Sequence, residues 1–123
     1  MYIYQNQKRA KLMKWIFKKA NEYITGPRSK DYGDAYDNFD DITIGWNVIM
    51  KRALETHGYI TPAHSTLMMD WLKTCRILRT MDHEDSWIDK AGYTALGFDF
   101  VEYEKLGVDE KIEKALGKKS ENK

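Results

Sequence analysis

The sequence predicts an all-α fold, a small bundle of four main helices followed by a short C-terminal helix. Two observations support this prediction. In four long segments the apolar residues recur every three or four positions, which is the spacing of one helix face. Gly, Pro or a cluster of polar residues ends each of these segments, as is common at helix boundaries. The 123 residues suit one domain, so we predict a single domain over residues 1–123 with a frayed tail after about residue 117.

The first two helices have recognisable boundary residues. The first is predicted from about Asn6 to Thr25, because the next two residues are Gly and Pro, which end helices. The second is predicted from a cap at Asp34 to about Thr56, since a carboxylate can accept the free backbone N–H groups of a first turn. The apolar positions are Leu12, Ile16, Ala20, Tyr23 and Ile24 in the first helix, and Phe39, Ile42, Trp46, Ile49, Met50 and Ala53 in the second.

The later helices also begin at typical capping residues. The third opens at Thr-Pro (61–62), a cap followed by Pro at the first helical position. The fourth is predicted to start near Asp85 or Ser86 and to run to about Lys105. Asp109 is predicted to cap the short last helix. The predicted buried stripe of the third helix is Leu67, Met68, Trp71, Leu72, Cys75 and Leu78, and the fourth helix carries the small residues Ala91, Gly92 and Ala95 on one face.

Composition excludes several classes of protein. Apolar residues make up 42% of the chain, and 20 Lys and Arg are balanced by 19 Asp and Glu. This argues against a disordered chain and against a polybasic nucleic-acid-binding arm. No apolar run reaches the roughly 20 residues of a membrane span, and the first residues lack the pattern of a secretory signal. The single cysteine, Cys75, fits a reducing compartment, so we expect a cytoplasmic protein without a membrane partner.

Two acidic clusters have spacings that could hold a divalent cation. One begins the second helix and the other begins the fourth, and in each the carboxylates are about one helical turn apart. Hard oxygen ligands suit Mg²⁺ or Mn²⁺, so the two clusters could together hold one or two ions. The alternative is that they cap their helices and complement the helix dipoles. The carboxylates are Asp34, Asp37 and Asp41 in the first cluster and Asp85 and Asp89 in the second.

A basic cluster on the third helix could bind phosphate. Lys73, Arg76 and Arg79 lie within two helical turns of one another. An Arg fork binds phosphate or carboxylate through two parallel hydrogen bonds, and Lys supplies a point charge. These cations could equally form salt bridges to the aspartates of a neighbouring helix, and the two roles can coexist. His83 lies near the second acidic cluster, where it could also serve as a general acid or base.

Several separated blocks of the sequence form a recognisable pattern, namely RSKDYGD at 28–34, Asn38-Phe39, Trp46, Ile60-Thr-Pro, Met68-Met69, Leu72-Lys73, Arg76 and residues 83–97. These blocks resemble a phage and prophage family of small all-helical proteins, a domain of unknown function, and the resemblance covers roughly residues 12–103. A weaker resemblance links the chain to the MazG-like all-α nucleoside triphosphate pyrophosphohydrolases, although Asp37-Asn-Phe-Asp40-Asp41 and Asp85-x-x-x-Asp89 depart from the Glu-rich pattern of those enzymes.

The MazG-like resemblance implies hydrolysis of a nucleoside or deoxynucleoside triphosphate in the cytoplasm of the infected host cell. It also implies Mg²⁺ or Mn²⁺ as cofactor and a dimer or tetramer. Under this hypothesis Lys73 and Arg76 would neutralise the triphosphate, and Arg28 would add a phosphate contact from the preceding loop. The implied metal ligands are Asp34, Asp37, Asp41, Asp85 and Asp89. The implied catalytic residues are Asp85, Asp89 and Asn38, of which Asn38 would orient a ligand or a water.

Two alternatives remain open on the sequence alone. The chain could be a non-catalytic phage protein that binds a host protein or a small nucleotide through its basic first helix and acidic loop, with the contacts between Asp and Lys or Arg serving as structural ion pairs. It could also be a structural oligomer without a ligand. The enzyme hypothesis predicts that the carboxylates and the cations converge on one pocket. The structural-oligomer hypothesis predicts that they pair off across helix interfaces and leave no cavity.

Overall fold

The computed structural model describes residues 2–27, 34–107 and 110–117. This part of the chain is helical and contains no strand, which confirms the predicted all-α class. Four of the five helices are long and the last is short, as predicted. The helices are α1 (Tyr2–Thr25), α2 (Ala35–His57), α3 (Pro62–Arg79), α4 (Glu84–Glu104) and α5 (Glu110–Ala115).

The predicted caps of α2 and α3 are confirmed. The Asp34 carboxylate accepts hydrogen bonds from the backbone N–H groups of Tyr36 at 2.8 Å and Asp37 at 3.2 Å. Thr61 caps α3 with Pro62 at the first helical position. Both helices therefore begin where a side-chain oxygen satisfies backbone donors that the helix itself leaves free.

Other boundaries differ from the prediction by a few residues. α1 begins at Tyr2 rather than Asn6, because residues 2–5 contain no Gly or Pro to prevent a helix. α4 begins at Glu84 because the imidazole of His83, which is an uncommon cap, accepts from the backbone N–H of Ser86. The predicted cap at Asp109 and the predicted frayed tail lie outside the described residues.

The packed part of the described chain is a layer of three helices with α3 in the middle. α3 packs against α2 and, more extensively, against α4, whereas α2 and α4 do not contact each other. Within the described residues, the backbones of α1 and α5 do not approach any other helix. The sequence predicts the helices but not this arrangement, because periodicity does not show which helices are neighbours.

Two tryptophans join α2 to α3. The indole Nε1 of Trp46 donates to the backbone oxygen of Met68 at 2.7 Å, and that of Trp71 donates to the backbone oxygen of Asp41 at 2.9 Å. The Trp71 indole lies directly against Gly45, where any Cβ atom would overlap it. The interface between α2 and α3 is therefore built from large rings placed against a helix backbone.

The buried core is small. Because α3 has a neighbour on two sides, the residues that it buries do not form the single predicted stripe. Ile77 and Thr66 are buried, whereas Leu67 and Leu78 of the predicted stripe are 53% and 63% exposed. No described residue of α1 is buried. The buried apolar residues of the described chain are Ile42, Ala53, Ala63, Cys75 and Ile77.

No helix in the described ranges combines the length and the apolar character needed to cross a bilayer.

Candidate functional site

Four of the predicted candidate residues, Lys73, Arg76, His83 and Asp89, meet along the interface between α3 and α4. Lys73 Nζ lies 3.1 Å from Asp89 Oδ2, and Arg76 Nη2 lies 3.3 Å from His83 Nε2. On its other side, His83 Nδ1 is 2.7 Å from the hydroxyl of Ser86, which is fully buried. We call these five residues, Lys73, Arg76, His83, Ser86 and Asp89, the polar seam.

Helix geometry explains how the polar seam forms. Lys73 and Arg76 are three residues apart and therefore share one face of α3. His83 holds the first turn of α4 against that face, and Asp89 follows at the same interface. The Lys73 side chain is only 17% exposed, so its ammonium group needs the Asp89 carboxylate as a counter-charge. Asp85 is exposed in the first turn of α4, where a carboxylate complements the helix dipole.

A second polar cluster lies one turn along the same interface and was not predicted. Lys90 forms an ion pair with Asp70, the Thr94 hydroxyl donates to Asp70 Oδ2 at 3.0 Å, and the Thr74 hydroxyl donates to the Asp70 backbone oxygen at 3.1 Å. The sequence contained one indication of it, since Asp70 is three residues before Lys73 and so lies on the same face of α3.

The acidic residues of α2 lie on a different side of α3. Arg79 Nη2 is 3.3 Å from Asp41 Oδ2, and Asp34 is occupied in capping its own helix. Asp37 is exposed in the first turn, and Asn38 is half-buried. Because α2 and α4 do not contact each other, these residues do not join the polar seam within one chain.

The residues predicted as metal ligands do not form a metal centre in the described parts of one chain. There, no three His, Cys, Asp or Glu side chains are close enough to share an ion. Asp41 and Asp89 are each engaged by a cation across a helix interface, and the carboxylates of α2 and α4 are separated by α3. The donor set that the described parts of one chain offer thus does not fit Mg²⁺ or Mn²⁺. Arg28, the predicted phosphate contact, lies outside the described residues.

Three ion pairs connect α3 to its neighbours, namely Lys73–Asp89, Lys90–Asp70 and Arg79–Asp41. This is the arrangement that the structural-oligomer hypothesis predicts for the cations of the third helix. In each pair the cation and the carboxylate come from different helices. The pairs therefore oppose sliding or rotation of one helix against the next.

A groove of about 500 Å³ opens between α3 and α4 beyond these ion pairs. Its apolar wall includes Leu67, Phe98 and Val101, which are 53%, 69% and 41% exposed. Asp70 and Glu104 also line it. This volume is within the range of small-molecule sites, but the groove is open along one side. We call it the α3/α4 groove.

Two histidines lie at one end of the α3/α4 groove. The rings of His57 and His64 meet edge to face, with centroids 5.2 Å apart. His64 Nδ1 accepts a hydrogen bond from the backbone N–H of Thr61 at 3.0 Å, which requires that nitrogen to be unprotonated. Burial lowers the pKa of His64, and His57 lowers it further, while Glu104 acts in the opposite direction. His64 is therefore held in its neutral form.

Cys75 lies in the core and has the properties of an inert thiol. The thiol is free and 2% exposed. Burial raises the pKa of Cys75, and the nearby Asp41 carboxylate adds to the rise. A thiol that stays protonated and buried is a poor nucleophile, so Cys75 serves as a small core residue.

Comparison with known proteins relates the chain to phage proteins. A family model described as a domain of unknown function, DUF6378, matches residues 15–101. The Gene 55 protein of Mycobacterium phage L5 is 37% identical over 81 residues, which is 66% of this chain and 49% of that protein. The Gene 55 protein of Mycobacterium phage D29 is 32% identical over 78 residues, or 63% of this chain and 48% of that protein. The chain thus spans about half the length of these curated relatives, and no solved structure matches it.

These findings support the resemblance to a phage family. They give no support to the resemblance to MazG-like enzymes. The descriptions of the family and of the two relatives name no enzyme, substrate or metal. The matched region contains all of α2, α3 and the polar seam, together with most of the α3/α4 groove.

Proposed function

Given that the chain belongs to the DUF6378 family, a phage family of unknown function, we propose that it is a non-catalytic protein that acts by binding other protein chains. The observation that carries this proposal is the amount of apolar surface left uncovered. The bound chain would be a host protein in the cytoplasm of the infected cell or another copy of this chain.

The surface area supports binding to another chain. A compact monomer of 14.5 kDa would expose roughly 6,900 Å² by the scaling of surface with mass in globular proteins. This chain exposes 10221 Å². Large apolar side chains on each of the four long helices are more than 40% exposed, including Phe17, Val48, Leu78 and Phe98. Large apolar side chains exposed on every long helix are typical of a chain that is covered by a partner.

The ion pairs also favour binding over catalysis. Lys73 and Arg79 are engaged by carboxylates of neighbouring helices, so their charges are already neutralised within the fold. A triphosphate would have to displace these carboxylates before it gained their attraction. The role that the geometry supports for these residues is to fix α3 between α2 and α4.

A screen for nucleotide turnover tests the non-catalytic character of the protein. The purified chain is mixed with each ribo- and deoxynucleoside triphosphate and with Mg²⁺ or Mn²⁺, and released pyrophosphate is measured. We expect no release from the wild-type protein. Lys73→Ala should lower the melting temperature, whereas Lys51→Ala, which removes an exposed lysine of α2, should leave it unchanged. Turnover that stops in Lys73→Ala and with a chelator would overturn the proposal.

A second candidate function is the metal-dependent pyrophosphohydrolase of MazG type. One observation favours it, namely that Lys73, Arg76 and Asp89 do converge in the polar seam, with His83 beside them. It requires Mg²⁺ or Mn²⁺ and further carboxylates that the described part of one chain does not bring to the seam. The same screen decides between the candidates, with Asp89→Asn as the second inactivating variant.

A further inference from the structure

We propose that α1 of one copy packs into the α3/α4 groove of a second copy, so that the protein is a homodimer in which the two first helices are exchanged. This inference rests on the proposed function and names the partner for two of the uncovered surfaces. Four properties support it: the surface of α1, the surface of the groove, their charges and the exposed area.

α1 is an amphipathic helix whose apolar face is uncovered. Leu12, Ile16 and Phe17 are 51%, 47% and 70% exposed, and their spacing places them on one side of the helix. Most of the lysines lie on the other side. A helix of 24 residues gains most of its stability in a protein by burying such a face. Within its own described chain, α1 approaches no other helix, so this face is available to a second copy.

The α3/α4 groove offers a surface of matching chemistry. Leu67, Phe98 and Val101 form an exposed apolar wall, and an apolar helix face fits a groove of this kind in many protein complexes. Glu104 contributes a carboxylate to the same groove, whereas Asp70 is already paired with Lys90, and Lys105 adds a cation. The groove therefore combines an apolar wall with one acidic group, Glu104, that suits the lysines flanking the apolar face of α1.

The first helix and the two helices that form the groove carry opposite net charges. α1 contains six basic residues and one acidic residue, which gives +5. α4 contains six acidic residues and one basic residue, which gives −5, and α3 contains three basic residues and one acidic residue, which gives +2, so the two together carry −3. Electrostatic complementarity of this kind steers association and fixes the orientation of partners. Like charges would instead keep two first helices apart, so the exchange of α1 onto α4 is favoured over contact between the two copies of α1.

The exposed area is also large enough for a stable dimer. The chain exposes about 3,300 Å² more than a compact monomer of its mass. Obligate dimers commonly bury about 2,000–5,000 Å² in total, or about 1,000–2,500 Å² from each chain, so one chain has more than its half of such an interface to cover. Exchange of two first helices under two-fold symmetry makes the same contact twice, so each chain takes part in two contacts, one through its α1 and one through its groove. A dimer of this design covers α1 and the groove together.

The experiment measures mass in solution by light scattering during gel filtration. We expect the wild-type chain at tens of micromolar to have about twice the monomer mass of 14.5 kDa. Phe17→Asp in α1 and Phe98→Asp in the groove should each shift the protein toward the monomer, because each introduces a charge into the apolar contact. Leu106→Asp is the matched control, since Leu106 is 84% exposed and does not line the groove.

Mixing the two variants tests the exchange itself. Phe17→Asp keeps an intact groove and Phe98→Asp keeps an intact α1, so a mixed dimer regains one of its two contacts. We expect the mixture to contain more dimer than either variant alone. Circular dichroism of each variant should show unchanged helix content, because both substituted side chains are already exposed.

A monomeric wild-type protein would overturn this inference, as would a dimer that is unaffected by both substitutions or not restored by mixing. A monomer would leave the proposed function standing with a host protein as the partner. Failure of the proposed function has a different signature, which is pyrophosphate release in the nucleotide screen.

Discussion

At the start of α3, His64 occupies the position that Glu or Gln usually fills in a capping box. Its ring nitrogen accepts from the backbone N–H of Thr61 while the Thr61 hydroxyl accepts from the backbone N–H of His64. The arrangement works only while the imidazole is neutral, and burial holds the pKa of His64 below its usual value. One side chain thus makes the stability of this helix terminus depend on pH.

We predict that stability falls on mild acidification and that His64 causes part of the fall. The pKa of His64 is lower in the folded chain than its value of about 6.5 in the unfolded chain. Its contribution is therefore fully present above about pH 6.5 and is lost as the pH falls through the folded pKa. The free energy of unfolding, measured at pH 7.5 and 5.5, should drop less in His64→Gln, since Gln keeps the capping box. An equal drop in both proteins would contradict this role.

The Lys73–Asp89 pair should contribute more to stability than an exposed pair of the same kind. We expect a double-mutant cycle with Lys73→Ala and Asp89→Ala to give a coupling energy of about 0.5–1 kcal/mol, because Lys73 is largely covered. The control is the exposed pair of Arg52 and Glu55, three residues apart on α2, for which about 0.3 kcal/mol is expected. Urea unfolding of the single and double variants provides both values, and equal values would argue against a special role for the polar seam.

The sequence predicted the polar residues themselves better than their partners. Lys73, Arg76 and Asp89 stood out because charged residues at helical spacing are visible in one sequence. Asp70 did not, since its importance depends on the rotation of α4 that places Lys90 opposite it. The separation of the α2 carboxylates from the polar seam could not be predicted from the sequence either. Which charges meet is decided by helix packing, on which local spacing carries no information.

The starts of individual helices could be predicted from nearby residues in the sequence, whereas the contacts between helices could not. The starts of α2 and α3 were predicted because Asp34 and Thr61 act on N–H groups only two or three residues away. The contact between Gly45 and the Trp71 indole joins residues on different helices, and nothing in the spacing of either residue indicates it. Helices could thus be predicted one by one, whereas their neighbours could not.

Two glycines should respond in opposite ways to the same substitution. Gly45→Ala places a Cβ atom in the Trp71 indole, so the ring must move and strain its hydrogen bond to Asp41. We expect a loss of about 1–3 kcal/mol in the free energy of unfolding. A Cβ atom added at Gly92 would meet no other atom within 4 Å, so Gly92→Ala should gain about 0.5–1 kcal/mol from helix propensity.

Thermal and urea unfolding of both glycine variants checks this prediction. Gly45→Ala should cost less in a Trp71→Leu background, because the smaller side chain leaves room for the new methyl group. A cost that is unchanged in that background would show that the effect comes from somewhere other than the indole.

The small core and the large exposed surface of the molecule have the same cause, which is the packing of three helices in a single layer. Three helices in a layer bury only the strips along which α3 meets α2 and α4, and five apolar residues are buried in the described chain. The conformational entropy lost on ordering a chain of this length is large, and a core of this size offsets little of it. In the proposed dimer, burial against the second copy supplies what the layer lacks, so folding and association should be coupled.

Coupled folding and association predicts a melting temperature that depends on protein concentration. In a dimer that unfolds to monomers, a hundredfold rise in concentration adds about 2.7 kcal/mol to stability, which corresponds to a rise of about 5–10 °C for a molecule of this size. Calorimetry at about 5 µM and about 500 µM would measure it. Phe17→Asp removes the exchanged contact, so its melting temperature should be lower and nearly independent of concentration. A wild-type melting temperature that does not change would mean that the described layer is stable on its own, and that its uncovered faces serve a partner that joins after folding.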